Sequence, residues 1–145
     1  MGESMKVNIT DILPHRKPFL FIDEVIDCSY HNYSKAIKRV KADEFWVEGH
    51  FPGNPVYPGV LLLESMAQTG GFVFVDEEGH SAKTAYLSKV DNLKYINKVQ
   101  IGDEIVIEAK FIEAFLNYAK VHVKATVNNK VVSKCEIVYT FMDQL

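Results

Sequence analysis

The segment Val60 to Val75 constrains this chain more than any other, because its 16 residues are apolar on almost every side. Only Glu64, Ser65, Gln68 and Thr69 interrupt it. A bilayer span needs about 20 mostly apolar residues and penalises a central carboxylate. The segment therefore predicts a helix inside a protein core, entered through Gly59 and ended before Gly79, and covered on most of its sides. Such a helix needs something to wrap around it.

The rest of the chain supplies the wrapping. Phe19 to Ala42, rich in Ile, Val, Tyr and Phe, reads as two strands joined around His31–Tyr33. Ala85 to Tyr95 is a third strand and Glu104 to Ala114 a fourth, with Ile105, Ile107, Ala109 and Phe111 on one face. Tyr118 to Val127 sets Ala119, Val121, Val123, Ala125 and Val127 inward against Lys120, His122, Lys124 and Thr126 outward. Val131 to Phe141 repeats the pattern through Cys135, Ile137, Tyr139 and Phe141. Between those two strands, Asn128-Asn129 can supply the positive φ angles of a tight hairpin. A short helix is expected near Asn8–Leu13, stopped by Pro14. Gly70-Gly71 inside the long helix predict a strand packed closely against them. The sum is an α+β architecture, a curled antiparallel sheet of about six strands around one helix. Its open edge strands invite a second copy, so a dimer is expected. No repeat or linker divides the chain, and residues 1–145 read as a single domain.

Composition excludes several functions. Sixteen Lys and Arg against nineteen Asp and Glu give a net charge of -3, which argues against a nucleic-acid partner. Cys28 and Cys135 form no CxxC pair, so neither a disulfide framework nor a zinc site is expected. Met1–Thr10 carries no secretory signal pattern, which points to a reducing cytoplasm. No glycine-rich nucleotide loop and no G-x-S-x-G occur.

The chemistry concentrates in Gly49-His50-Phe51-Pro52-Gly53-Asn54-Pro55-Val56-Tyr57-Pro58-Gly59-Val60-Leu61-Leu62-Leu63-Glu64-Ser65-Met66-Ala67-Gln68. Three prolines stiffen the loop that carries His50. Gly59 opens the backbone at a helix start, where N–H groups attract developing negative charge. Glu64 lies among Leu61, Leu62, Leu63, Met66 and Ala67, and desolvation should raise its pKa, as suits a general acid. Gln68, four residues on, shares its helix face and can orient the carboxyl. A base, an acid and backbone donors suit proton abstraction beside a carbonyl. Residue types alone leave this reading and a purely structural one side by side, since a histidine before a helix is commonly structural.

This stretch resembles the signature of the β-hydroxyacyl–acyl carrier protein dehydratases of type II fatty acid synthesis, which have the hot-dog fold. Leu13-Pro14-His15-Arg16-Lys17-Pro18-Phe19-Leu20-Phe21-Ile22-Asp23 resembles that family's opening, as does Gly102-Asp103 before a long strand. The resemblance runs from about Ile12 to Phe141. It implies that His50 is the catalytic base and Glu64 the catalytic acid, that the Gly59 amide polarises the thioester carbonyl, and that Gln68 contacts the acid. It further implies that His50 of one subunit faces Glu64 of the other. The assembly would be a homodimer, with a trimer of dimers left open. The implied reaction turns a (3R)-3-hydroxyacyl thioester on acyl carrier protein into the trans-2-enoyl product, with neither metal nor organic cofactor and no membrane. Whether Glu64 or protonated His50 gives the proton to the leaving hydroxyl stays open.

Glutamate at position 64, where the related dehydratase/isomerase branch has aspartate, implies dehydration without obligatory isomerisation. Tyr57, Asn97-Lys98 and Ile101 depart from the family pattern and bear on the substrate pocket more than on the reaction. A hot-dog thioesterase and a non-catalytic acyl-binding module are the alternatives, and retention of both His50 and Glu64 counts against them. Among candidates for docking an acidic carrier, Lys35, Lys38, Arg39, Lys41, Lys94 and Lys98 stand equal. His15-Arg16 reads as structural, His122 as a solvated surface residue and Cys135 as a buried apolar one, while His31, His80 and Cys28 receive no role.

Overall fold

A computed structural model of the chain describes residues 8–13, 15–76 and 85–142. One turn of helix, Ile9–Ile12 (α1), starts at Asn8, whose side chain accepts the Thr10 N–H at 3.1 Å. Arg16 closes its other end by donating to the carbonyls of Thr10, Leu13 and His15 at 2.7–2.8 Å. Pro14, the expected stop, lies outside the described residues.

Six strands follow: β1 (Glu24–Ser29), β2 (Tyr33–Arg39), β3 (Ala85–Tyr95), β4 (Glu104–Phe115), β5 (Tyr118–Val127) and β6 (Lys130–Phe141). They form one antiparallel sheet in the order β1-β2-β4-β5-β6-β3, with β1 and β3 at the edges. Asn128 and Asn129 turn the β5–β6 hairpin at φ 50° and 65°, the left-handed pair such a turn requires. The long helix, Gly59–Gly71 (α2), follows β2 and runs on into a 3-10 turn at Phe72–Phe74. Among the described residues no helix is long and apolar enough to cross a membrane.

The inward side chains of the sheet pack on α2. Ile105, Ile107, Ala109, Val121, Val123, Ala125 and Ile137 are fully buried, together with Leu62 and Met66 of the helix. Gly70 is where the close approach occurs. A Cβ there would stand 2.1 Å from Tyr139 Oη, and that hydroxyl donates to the Ala67 carbonyl at 2.6 Å. Gly71 differs from expectation, because the nearest neighbour of an added Cβ would be Leu13 at an ordinary 3.5 Å.

One boundary departs from the sequence reading. Phe19 to Asp23 is not part of a strand, because the Phe19 carbonyl and the Phe21 N–H are both bound by the Gln68 side chain. The helix α2 is covered on most of its sides as expected, with Ser65 through Gly70 all buried, while its first turn stays open, with Val60 73% exposed and Leu61 and Leu63 half-buried.

Candidate active site

His50 sits in a loop tied to itself by backbone bonds. Its N–H donates to the Trp46 carbonyl, Phe51 and Asn54 exchange two bonds, and the Val56 N–H donates back to the His50 carbonyl at 2.8 Å. The imidazole is oriented by the same segment, with Nδ1 2.9 Å from the Val56 carbonyl. A carbonyl only accepts, so Nδ1 carries the hydrogen and Nε2 keeps its lone pair. That is the tautomer a base needs. Phe51 stacks on the ring at 4.0 Å.

His50 lines a cavity of about 340 Å³ together with Tyr57, Gly59, Leu62, Tyr95 and Lys98. Gly59 is the first residue of α2, so its N–H has no partner within the helix. The close approach that demands glycine here is that of Tyr95. An added Cβ would lie 2.9 Å from its Cζ, and its hydroxyl donates to the Gly59 carbonyl at 2.7 Å.

Glu64 lies one and a half turns further along α2, on the side of a second, smaller cavity of about 100 Å³. Gln68 Nε2 donates to its Oε2 at 2.9 Å and to the Phe19 carbonyl at 3.0 Å, while Gln68 Oε1 accepts the Phe21 N–H at 2.9 Å. The amide is thereby held from three sides, and it fixes the carboxyl beside it. Burial holds the Glu64 carboxyl above its ordinary range, against the opposing pull of the Gln68 hydrogen bond and of His15.

His15 differs from the structural role expected of it: its Nε2 stands 3.7 Å from Glu64 Oε2, and it lines the same cavity. Its Nδ1 is buried without a hydrogen-bond partner among the described residues. Arg16 does have the structural role expected of it, bridging three carbonyls around this turn. The signal for His15 was the likeness of the Leu13–Asp23 segment to the family opening, since no periodicity marks a residue outside helix and strand.

The four sequence candidates thus fall into two pairs. His50 and Gly59 share one cavity, and Glu64 and Gln68 share the other. Neither cavity holds both His50 and Glu64.

Other residues are placed plainly. Tyr57 is buried, its hydroxyl 2.9 Å from Ser65 Oγ and its ring edge-on to Trp46, so its polar end is engaged under the helix. His122 is partly exposed, 3.8 Å from Glu136. His31 stacks on Phe111, and burial lowers its pKa. Burial pushes the Cys28 thiol up to about 11 and the Cys135 thiol to about 12, which makes both poor nucleophiles. His80 lies outside the described residues.

A six-stranded antiparallel sheet curled on one central helix is the hot-dog fold. Solved structures share it at low sequence identity. A chain of the dehydratase heterocomplex ApeI:P from Xenorhabdus doucetiae aligns with a TM-score of 0.81 at 15% identity, covering 96% of this chain and 93% of that one. A hypothetical thioesterase with coenzyme A from Streptococcus pneumoniae aligns with a TM-score of 0.63 at 12% identity, covering 83% and 86%. Sequence comparison is more specific. The family described as the FabA-like domain matches residues 13–136, and the chain belongs to that family. It is 38% identical to the 3-hydroxyacyl-[acyl-carrier-protein] dehydratase FabZ of Listeria monocytogenes over 93% of this chain and 94% of the relative. It is 40% identical to the FabZ of Lactococcus lactis subsp. lactis, over 90% and 92%.

Proposed function

We propose that this chain, acting as one hot-dog domain in the cytoplasm, removes water from 3-hydroxyacyl thioesters carried on acyl carrier protein. His50 Nε2 takes a proton from C2, and the electron pair moves toward the thioester carbonyl, whose oxygen accepts the Gly59 N–H. The C3–oxygen bond then breaks and the departing hydroxyl takes a proton, leaving water and the trans-2-enoyl thioester. The raised pKa of Glu64 favours it as the donor of that proton. Gln68 holds the carboxyl in place, and the 2.9 Å bond from His50 Nδ1 to Val56 keeps the base in its working tautomer.

The observation that carries this reading is the division of the site into halves. One protomer offers base and carbonyl donor in one cavity and acid in another. Strand β3 ends the sheet with Tyr86 and Leu87 exposed, and Val60 of α2, next to Gly59, is exposed as well. A second copy related by two-fold symmetry would cover these surfaces and bring the partner's Glu64 to His50. We take the assembly to be a homodimer on this ground.

The test begins with 3-hydroxybutyryl and longer 3-hydroxyacyl thioesters of acyl carrier protein, followed by mass spectrometry for loss of water. His50→Ala and Glu64→Gln should each abolish it. Co-refolding the two inactive variants should restore about a quarter of wild-type activity, because random reassortment makes half the dimers mixed and each mixed dimer keeps one intact site. No recovery would place both groups in one protomer and sink the shared site. Release of free acid in place of enoyl product would move the reading to a thioesterase.

A further inference from the structure

The loop that carries His50, residues 40–58, contains neither helix nor strand, so no regular pairing fixes its place on the sheet. Its two ends are tied by backbone bonds. The Val40 N–H donates to the Asp103 carbonyl at 3.0 Å, and the Tyr57 N–H donates to the Val99 carbonyl at 2.8 Å. Between those ends, the backbone bonds around His50 stay inside the loop. They shape it and orient the imidazole, but they do not set either against the rest of the cavity.

One side chain makes the missing link. Glu44 Oε1 accepts from Lys38 Nζ at 2.7 Å, and Lys38 belongs to β2, in register with the fully buried Ile105 of β4. Among the described residues, this is the only hydrogen bond or ion pair that leaves residues 41–56. The same glutamate gathers the loop behind it. Its Oε2 accepts the Lys41 N–H at 2.6 Å, its Oε1 also accepts the Trp46 indole N–H at 3.3 Å, and its carbonyl accepts the Val47 N–H at 3.2 Å. Trp46 in turn accepts the Gly49 and His50 N–H groups on its own carbonyl, at 3.1 and 3.0 Å. A chain of bonds thus runs from the sheet to the base, through Lys38, Glu44 and Trp46 to His50.

Lys38 is only 5% exposed, which withdraws it from the residues expected to meet an acidic carrier. A buried ion pair is a poor source of stability, because desolvating both charges costs about as much as their attraction returns. Apolar residues of similar size often fold as well. Holding a loop in one place is the stronger reason for burying this pair, since a lysine and a glutamate can satisfy each other in few geometries.

We propose that Glu44, anchored by Lys38, is the positioning residue that sets the His50 loop against the Gly59 end of α2. The inference rests on the dehydratase reading above and deepens it. Glu44 lies outside the cavity that His50 lines and acts through Trp46 on where His50 Nε2 stands. It should therefore govern the turnover of bound substrate and not its binding.

The test uses the double variant Lys38→Met with Glu44→Gln, which removes both charges together and leaves neither buried alone. Its melting temperature should stay close to wild type. On 3-hydroxybutyryl-acyl carrier protein, kcat should fall about tenfold while KM stays within about twofold. Trp46→Phe keeps the ion pair and removes only the indole donor, so it should lower kcat in the same sense, and it decides the matter if the double variant does not fold. Amide hydrogen exchange gives a readout independent of turnover. In both variants Gly49 and His50 should exchange about tenfold faster, with Val121 and Val123 of β5 unchanged. Wild-type exchange at Gly49 and His50, or kcat within about twofold of wild type, would overturn the positioning role. So would exchange that quickens across β5 in both variants, which marks a general loss of fold. Wild-type protein that dehydrates no substrate, with the variants' faster exchange still confined to Gly49 and His50, would instead sink the dehydratase reading and leave the loop anchor standing.

Discussion

Glu64 sits where its surroundings oppose its charge, and that has a consequence for stability as well as for chemistry. Burial raises its folded-state pKa, so the folded protein holds this proton more tightly than the unfolded chain does. The resulting stabilisation is fully present below the unfolded carboxylate value, about 4.3, and is lost as pH rises through the raised folded value. Gln at this position keeps the shape and loses the titration. The melting temperature of Glu64→Gln relative to wild type should therefore climb from about pH 4 upward and level off once wild-type Glu64 is ionised. A difference that stays constant across this range would show that Glu64 does not pay a burial penalty in the fold. At this scale the sequence was legible where chemistry and local spacing coincide. Glu64 and Gln68 are four apart on one helix, and the hydrogen bond between them follows from that spacing. His15 was not legible as a neighbour of Glu64, because the contact spans 49 positions and no local pattern carries it.

Gly70 shows the same limit one level up. Alanine in a helix interior is better than glycine by about 1 kcal/mol, so propensity alone would have Gly70→Ala stabilise α2. Tyr139 reverses the sign. Its hydroxyl would stand 2.1 Å from the new methyl, and overpacking of a buried site costs about 1–3 kcal/mol. Urea denaturation should find Gly70→Ala destabilised. Adding Tyr139→Phe removes the clashing oxygen and leaves contacts near 3.2 Å, so the double variant should be more stable than Gly70→Ala alone. If the second substitution only adds its own loss, the clash is not the cause. The strands were readable because one buried face writes a period of two into β5, where Ala119, Val121, Val123 and Ala125 are all fully buried. Phe19 to Asp23 has strand-like residues and no strand, because Gln68, 49 residues from Phe19, takes the backbone groups that a neighbouring strand would have bound.

The whole molecule is the scale at which the proposed site is complete or incomplete. Within the α+β core of one protomer, Trp46, the single tryptophan, is buried against Tyr57 and donates to Glu44 at 3.3 Å. Its emission therefore reports the protomer, while light scattering or sedimentation reports the assembly. If His50 of one copy works with the partner's Glu64, activity must follow the dimer and not the fold. Diluting the protein through its dissociation range should lower specific activity in step with the dimer fraction, with Trp46 emission unchanged over the same range. Val60→Glu, at a position 73% exposed in the protomer, should move that range to higher concentration without lowering the protomer's helical circular dichroism. Activity that persists in dilute monomer would mean that His50 and Glu64 do not need one another across two chains, and the shared site would fall with it. Trp46 emission that shifts together with activity would show instead that the protomer cannot stand alone, and that fold and site are assembled in one step.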